Sequence, residues 1–234
     1  MKIIAHRGAS KQHRENSIDA FHFAADHGAD YIEMDVRQTS DSVYIIFHDA
    51  TLERVDGSPE SVDSLTFQQL FSRLRSAGWP APLRLDQLDQ HYQRATPLLF
   101  HLKLTVPDQA LMTCLKNFRL PFVLGVESTE LAELFSKQFG SAGILAFMPQ
   151  PGDSDAFIEA GAGIIRLWEH WLDPAVIEQC HGKKRMIWIM THDGSDVGET
   201  NIVSLDRIQS AGADGVLLND ICLAQTWRKM HQKC

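Results

Sequence analysis

The 234-residue sequence lacks several features that would assign its class at once. No apolar run approaches the ~18 residues needed to span a bilayer. The opening Met1-Lys2-Ile3-Ile4-Ala5 meets His6 and Arg7 too soon to form the apolar region of a signal peptide, so stable membrane insertion is not expected. Cysteine is scarce. Cys114, Cys180, Cys222 and Cys234 are scattered without a CxxC pair and read as free thiols of a reducing, cytoplasmic compartment. The 22 basic residues are outnumbered by 30 acidic ones, and the net charge of −8 disfavours nucleic acid as a partner and a polybasic membrane anchor. Gly8 stands alone after the first strand-like run, where a dinucleotide fingerprint needs three glycines. No GxSxG elbow, Walker loop or HExxH helix occurs.

What is present is an ordinary globular composition, 44% hydrophobic and 22% charged, enough to bury a large core. Short β-type apolar runs fall at 2–5, 30–36, 43–47, 98–103, 121–126, 143–147, 163–168, 185–190 and 214–218. Between them lie helical signals, such as the Ile18, Phe21, Ala25 stripe, a Thr66–Gln69 capping box and Asp173 as an N-cap before Pro174. Gly28-Ala29-Asp30, Gly161-Ala162-Gly163 and Gly212-Ala213-Asp214 each close a helical pattern and open a strand, as a left-handed glycine allows. Repeated units of this kind imply a parallel sheet with helices outside, and at this length a single α/β domain over 1–234, a (β/α)₈ TIM barrel. A doubly wound open sheet is the alternative. The second and third runs are too close for a helical crossover and predict a hairpin. A turn at Ser40-Asp41 would set Glu33 opposite His48. The stretch 51–93, with Gly57, Pro59, Pro80 and Pro82, reads as a loop-rich insertion after the third strand, with one or two short helices, over one barrel end.

Five of the eleven histidines fall in the first 48 residues, and two of them sit where a barrel keeps its chemistry. His6-Arg7 follows the first strand and His48-Asp49 the third, at carboxyl ends that open into the mouth. Glu33 and Asp35 share one face of a strand whose Ile32, Met34 and Val36 face the other way. Two buried carboxylates need an offset. A divalent cation (Mg²⁺, Ca²⁺ or Mn²⁺) or salt bridges to Arg7 and Lys103 would supply it. His101 and Lys103 share a face at the end of a later strand, where His101 could complete a metal site and Lys103 hold an anion. Two histidines for proton transfer, cations for an anion and carboxylates for a cation together fit cleavage of a phosphate ester. His13, His22 and His27 read as solvated. Asp193-Gly194 reads as a turn near the site, and Asp220 is similar.

At these residues the sequence resembles the glycerophosphodiester phosphodiesterase family. The likeness rests on His6-Arg7-Gly8, Glu15-Asn16-Ser17, the run Ala29 to Val36, Thr39-Ser40-Asp41, Phe47-His48-Asp49 and Leu52-Glu53-Arg54. It continues through His101-Leu102-Lys103, Trp188 and Gly212 to Val216. The resemblance implies a (β/α)₈ barrel and metal-dependent hydrolysis of glycerophosphodiesters to sn-glycerol 3-phosphate and an alcohol. It implies His6 and His48 as the acid–base pair and Glu33, Asp35 and His101 as metal ligands, with Arg7, Lys103 and Trp188 at the substrate. The sequence departs from the family pattern in three places. His101 stands where Glu is usual, which favours Mn²⁺, Zn²⁺ or Co²⁺ relative to Ca²⁺. Arg54-Val55-Asp56 replaces Arg-Thr-Thr, and Thr191 replaces Asn. Two other readings accompany the main one. Trp79, Phe147, Trp168 and Trp171 could line an acyl groove, as in a lysophospholipase D-like enzyme, although core packing is the simpler account of such aromatics. The other is a non-enzymatic barrel that binds a phosphorylated ligand.

Overall fold

The computed structural model describes residues 1–194 and 196–231; Cys234 and its predicted free thiol lie outside the described residues. Eight parallel strands form the barrel: β1 (Lys2–Ala5), β2 (Tyr31–Gln38), β3 (Leu98–Leu102), β4 (Phe122–Val126), β5 (Ile144–Phe147), β6 (Ile164–Trp168), β7 (Met186–Met190) and β8 (Gly215–Leu218). Each pairs with the next, and β1 joins both β8 (Ile4 beside Leu217) and β2 (Ala5 beside Ile32), which closes the ring. Helices such as Ile18–Asp26, Thr129–Phe139 and Ile202–Ser210 follow the strands on the outside. Gly28, Gly161 and Gly212 have φ of 80°, 100° and 91°, the left-handed turns expected where helix passes to strand. The Thr66 capping box and the Asp173 cap are both formed.

Strand parity sorts the side chains into separate cores. Ile32, Met34 and Val36 pack outward against helices with Ile165, Leu167 and Val216. Ile4, Leu99, Leu145, Ile164, Trp188 and Leu217 point inward and fill the barrel's lower layers. Above them the inward positions are His6, Asp35, His101, Lys103 and Arg166 beside Phe147, Trp168 and Met190, and these make the mouth.

β2 is twice the length of β1, so its last residues have a free edge. Strand Tyr44–Ile46 turns back onto that edge and carries His48 to the mouth. The hairpin is real, but its register differs by one residue from the expectation. Val36 faces Ile46 and Gln38 faces Tyr44, so Glu33 does not lie opposite His48. The loop has three residues, Ser40 to Ser42, rather than two, with Ser42 in the left-handed region at φ 61°.

The insertion that follows has the expected helical content and adds short strands that its Gly and Pro content did not suggest. It contains a two-stranded sheet (Thr51–Leu52 with Ser58–Ser61), the ten-residue helix Phe67–Ser76 and a short strand, Leu83–Arg84, added to the hairpin. Ile45, Phe47, Leu52, Val62, Leu65, Leu70 and Leu74 give it an apolar core of its own. Among the described residues no helix is long and apolar enough to cross a membrane.

Candidate active site

The mouth holds a cavity of about 530 Å³ whose walls include His6, Arg7, Asp35, His48, His101 and Lys103. A second lobe shares His6, Arg7 and His48 with it and extends past Glu15, Asp49 and Arg54. Seven of the eight predicted site residues thus converge; Glu33 lies just beneath, 1% exposed, against the same cluster.

Glu33, Asp35 and His101 are all buried, and one ligand atom from each lies within 4.8 Å of the others. Strand register makes this possible: Asp35 on β2 stands beside His101 on β3, and Glu33 is two residues earlier on the same face. Arg7 shapes the first side. It has a left-handed φ of 57°, and its backbone N–H donates to Glu33 Oε2 at 2.8 Å. Asn16 clamps Asp35, donating from Nδ2 to Oδ2 and accepting the Asp35 N–H at Oδ1.

The two carboxylates are not equivalent. Burial would raise Asp35, but the hydrogen bond from His101 and the charges of Lys103 and Arg7 hold it well below the usual range. Lys103 Nζ and Arg7 Nε each lie 3.4 Å from its oxygens. Glu33 goes the other way: burial first, then the neighbouring Asp35 charge, push its carboxyl up. Both predicted offsets are therefore relevant. The salt bridges satisfy Asp35, while Glu33 keeps a demand for positive charge that a cation would meet.

His101 presents Nδ1 to Asp35 Oδ1 at 3.3 Å and to Glu33 Oε1 at 3.8 Å, and donates from Nε2 to Glu127 Oε1 at 2.8 Å. Burial alone would lower its pKa, but Asp35 and Glu127 raise it. Its ring stacks on Phe147 at 3.8 Å, and Gly125 is what makes room: a Cβ there would lie 2.3 Å from the Phe147 ring.

The two catalytic candidates sit in opposite environments. His6 is 5% exposed, and burial, then the Arg7 charge, push its pKa down to about 3. Asn219 holds it. The Asn219 Nδ2 donates to Val197 O and Glu199 Oε1, which turns Oδ1 toward His6 Nδ1 at 2.8 Å. Nδ1 therefore carries the proton, and Nε2 is left as the basic nitrogen. His48 donates from Nδ1 to Asp49 Oδ1 at 2.7 Å. Against the effect of burial, His48 and Arg54 hold Asp49 at about 2. Arg54 bridges Asp49 to Glu15, and Glu15 accepts from Arg7 Nη1 at 2.8 Å, so the motif residues of the first strands form one continuous network.

Trp188 is the predicted site residue that the geometry removes from the mouth. It is 1% exposed in the barrel interior, packed on Tyr31 at 5.0 Å, and does not line the cavity; its position on β7 is a full turn of pleat below the rim. The tryptophan at the rim is Trp168, at the end of β6. Of the possible acyl-groove residues, Phe147 and Trp168 line the cavity, whereas Trp79 stacks under Arg14 at 3.4 Å and Trp171 packs on the outer core. His13 and His27 are exposed and His22 is partly covered, stacked on Tyr92. Glu127, Arg166 and Asn219 escaped the sequence reading. Arg166 had left a signal, a lone charge at an inward position of Ile164-Ile165-Arg166-Leu167-Trp168.

Residues 6–143, more than half of the chain, match the model of the glycerophosphoryl diester phosphodiesterase family. The chain belongs to that family. A relative named glycerophosphodiester phosphodiesterase from Caldanaerobacter subterraneus is 41% identical over 68 residues, 29% of this chain and 28% of its own. The rat protein named glycerophosphodiester phosphodiesterase 1 is 46% identical over 71 residues, 30% of this chain and 21% of its own. These aligned stretches span less than half of each relative's length. Likeness of fold extends further: the Oleispira antarctica phosphodiesterase solved with the product sn-glycerol-3-phosphate superposes with a TM-score of 0.77 at 17% identity, covering 99% of this chain and 97% of that one. The matched family stretch holds both histidines, the carboxylate pair, His101 and Lys103; Arg166, Trp188 and Asn219 lie beyond it.

Proposed function

We propose that the protein hydrolyses glycerophosphodiesters to sn-glycerol 3-phosphate and an alcohol, with a divalent cation held by Glu33, Asp35 and His101. The observation that carries this reading is the placement of two differently held histidines beside a buried two-carboxylate, one-imidazole cluster and two cations, all on one cavity. The donor set fits the ion, because Glu33 is the carboxylate whose charge the surrounding residues leave uncompensated. Its mixed oxygen and nitrogen ligands suit Mn²⁺, Zn²⁺ or Co²⁺ as well as Mg²⁺. When bound, the ion offsets negative charge developing on the phosphate.

The chain's own residues supply the rest. Arg7 and Lys103 receive the scissile phosphate. His6 Nε2 takes the proton of the glycerol 2-hydroxyl as its oxygen attacks phosphorus. His48 Nε2 gives a proton to the departing alcohol, and the Asp49 carboxylate complements the charge His48 carries while it holds that proton. Water then opens the cyclic phosphate with the roles reversed: His48 takes the proton of water and His6 returns one to the 2-oxygen. A bound phosphate anion also offsets the Arg7 charge that depresses His6, so the base strengthens when substrate arrives.

The test is release of glycerol 3-phosphate from glycerophosphocholine and glycerophosphoethanolamine by EDTA-stripped protein, with Mg²⁺, Ca²⁺, Mn²⁺, Co²⁺ and Zn²⁺ added singly. Release should require a metal and fall at least ~100-fold in His6→Ala. The absence of release with every metal, in wild type and in His101→Glu alike, would overturn the reading.

A further inference from the structure

Arg166 is a buried cation that no carboxylate or hydrogen-bond acceptor among the described residues answers. It sits in the middle of β6 at an inward position, 5% exposed, on the wall of the catalytic cavity. Its Nε and Nη1 are fully covered and have no hydrogen-bond partner. The other cations of the mouth are paired: Arg7 with Glu15 and Asp35, and Lys103 with Asp35. Among the described residues, Glu127 is the carboxylate whose charge reaches Arg166, and it is taken by His101. What Arg166 has instead is two aromatic faces, Trp168 at 4.3 Å and Phe147 at 5.2 Å. Aromatic faces hold a guanidinium in place and leave its N–H edge unsatisfied. Unmet charged donors under cover are costly, and a ligand that meets them gains accordingly.

We infer that Arg166 is the receptor for a second anionic group on the substrate, a carboxylate or a phosphate carried by the leaving alcohol. The inference rests on the phosphodiesterase reading for the identity of the first anion. In a glycerophosphodiester the glycerol moiety bears no charge beyond the scissile phosphate. A second negative charge must therefore be on the alcohol. Phe147 touches both His101, at 3.8 Å, and Arg166, at 5.2 Å, and Arg166 takes no part in the Arg7–Asp35–Lys103 ion pairs where the scissile phosphate is received. The same placement disfavours alcohols that carry only a positive charge, such as choline.

Two matched pairs of ligands isolate the effect. Glycerophosphoserine differs from glycerophosphoethanolamine by one carboxylate, and glycerophosphoinositol 4-phosphate differs from glycerophosphoinositol by one phosphate. Binding to wild type, Arg166→Met and Arg166→Lys would be measured by calorimetry, and kcat/KM for each diester beside it. The anionic member of at least one pair should bind wild type about 10- to 100-fold more tightly. The pair that shows the larger ratio tells carboxylate from phosphate. Arg166→Met should reduce the ratio to near one, and Arg166→Lys should retain part of it. Equal binding within both pairs by wild type, or a ratio that survives in Arg166→Met, would overturn the inference. If Arg166→Met does not fold, the wild-type ratios and the Lys variant still decide. Because binding is read separately from turnover, loss of the catalytic reading would show as no hydrolysis of any diester while the paired affinities still differ.

Discussion

His101 has two nitrogens with different neighbours, and that division sets what it can do. Nδ1 faces the carboxylates of Glu33 and Asp35, while Nε2 is tied to Glu127, the residue that follows the next strand. A carboxylate behind an imidazole fixes its tautomer and raises its strength as a ligand. Glu127→Gln should therefore weaken binding of Mn²⁺ or Zn²⁺ about 10- to 100-fold, read by calorimetry or by competition with a chelator. Unchanged affinity would reduce Glu127 to a surface acid that happens to lie close. At this scale the sequence was legible wherever a polar residue recurred at spacing two on an apolar strand, as in Glu33 with Asp35 and His101 with Lys103. Glu127 carried no such mark, because its partner comes from strand pairing and not from its own segment. The misplacement of Trp188 has the same origin. Whether an inward residue reaches the rim depends on strand stagger, which alternation alone does not encode.

The elements were the most readable level. Each barrel strand starts and stops within two residues of its apolar run, since a strand buried on both faces must be apolar throughout except where it meets the site. The hairpin register was less readable, because it turns on Ser42 adopting a left-handed φ that serine does not advertise. In the insertion the helix was legible from its capping box and is held by leucines at a four-residue spacing, Leu70 and Leu74, whereas the short strands were hidden among turn residues. Asp41 in the hairpin loop accepts from the Phe67 N–H, and Leu65 O accepts from the Ser40 N–H, so hairpin and insertion are fastened together. The apolar core beneath is separate from those of the barrel. Leu70→Ala should accordingly cost about 2–5 kcal/mol locally. Hydrogen exchange should rise over Phe67–Ser76 and Tyr44–Ile46 while β4 to β8 stay protected. Equal loss of protection in the barrel strands would show that the insertion is part of one cooperative unit.

For the whole molecule, the site is assembled at the expense of stability. Glu33 has its carboxyl pushed up by burial and by Asp35. Below the carboxyl's ordinary pKa both folded and unfolded chains carry it protonated, and it costs nothing. As pH rises through the folded value the charge is forced into the barrel, and stability is lost. In metal-free protein, Glu33→Gln keeps an acceptor for the Arg7 N–H and removes that charge. Its melting temperature should exceed wild type by roughly 5 °C at pH 8, taking ~2–4 °C per kcal/mol for a domain of this size, with little difference at pH 4. Scanning calorimetry in EDTA checks this, and an increment independent of pH would rule out charge as the cause. The ring itself was legible from the count of αβ units. The contacts that closure creates were not, because they join residues at opposite ends of the sequence.

His6 and Asn219 are such a pair, 213 positions apart. A parallel ring is completed only when its last strand meets its first. During synthesis, a chain extended as far as β7 already holds both histidines, both buried carboxylates and Lys103. It still lacks the oxygen that settles which nitrogen of His6 bears the proton. The proposed activity therefore arrives late in the making of the protein, with the residue that follows the final strand, and a product of premature termination would carry the motif without that arrangement.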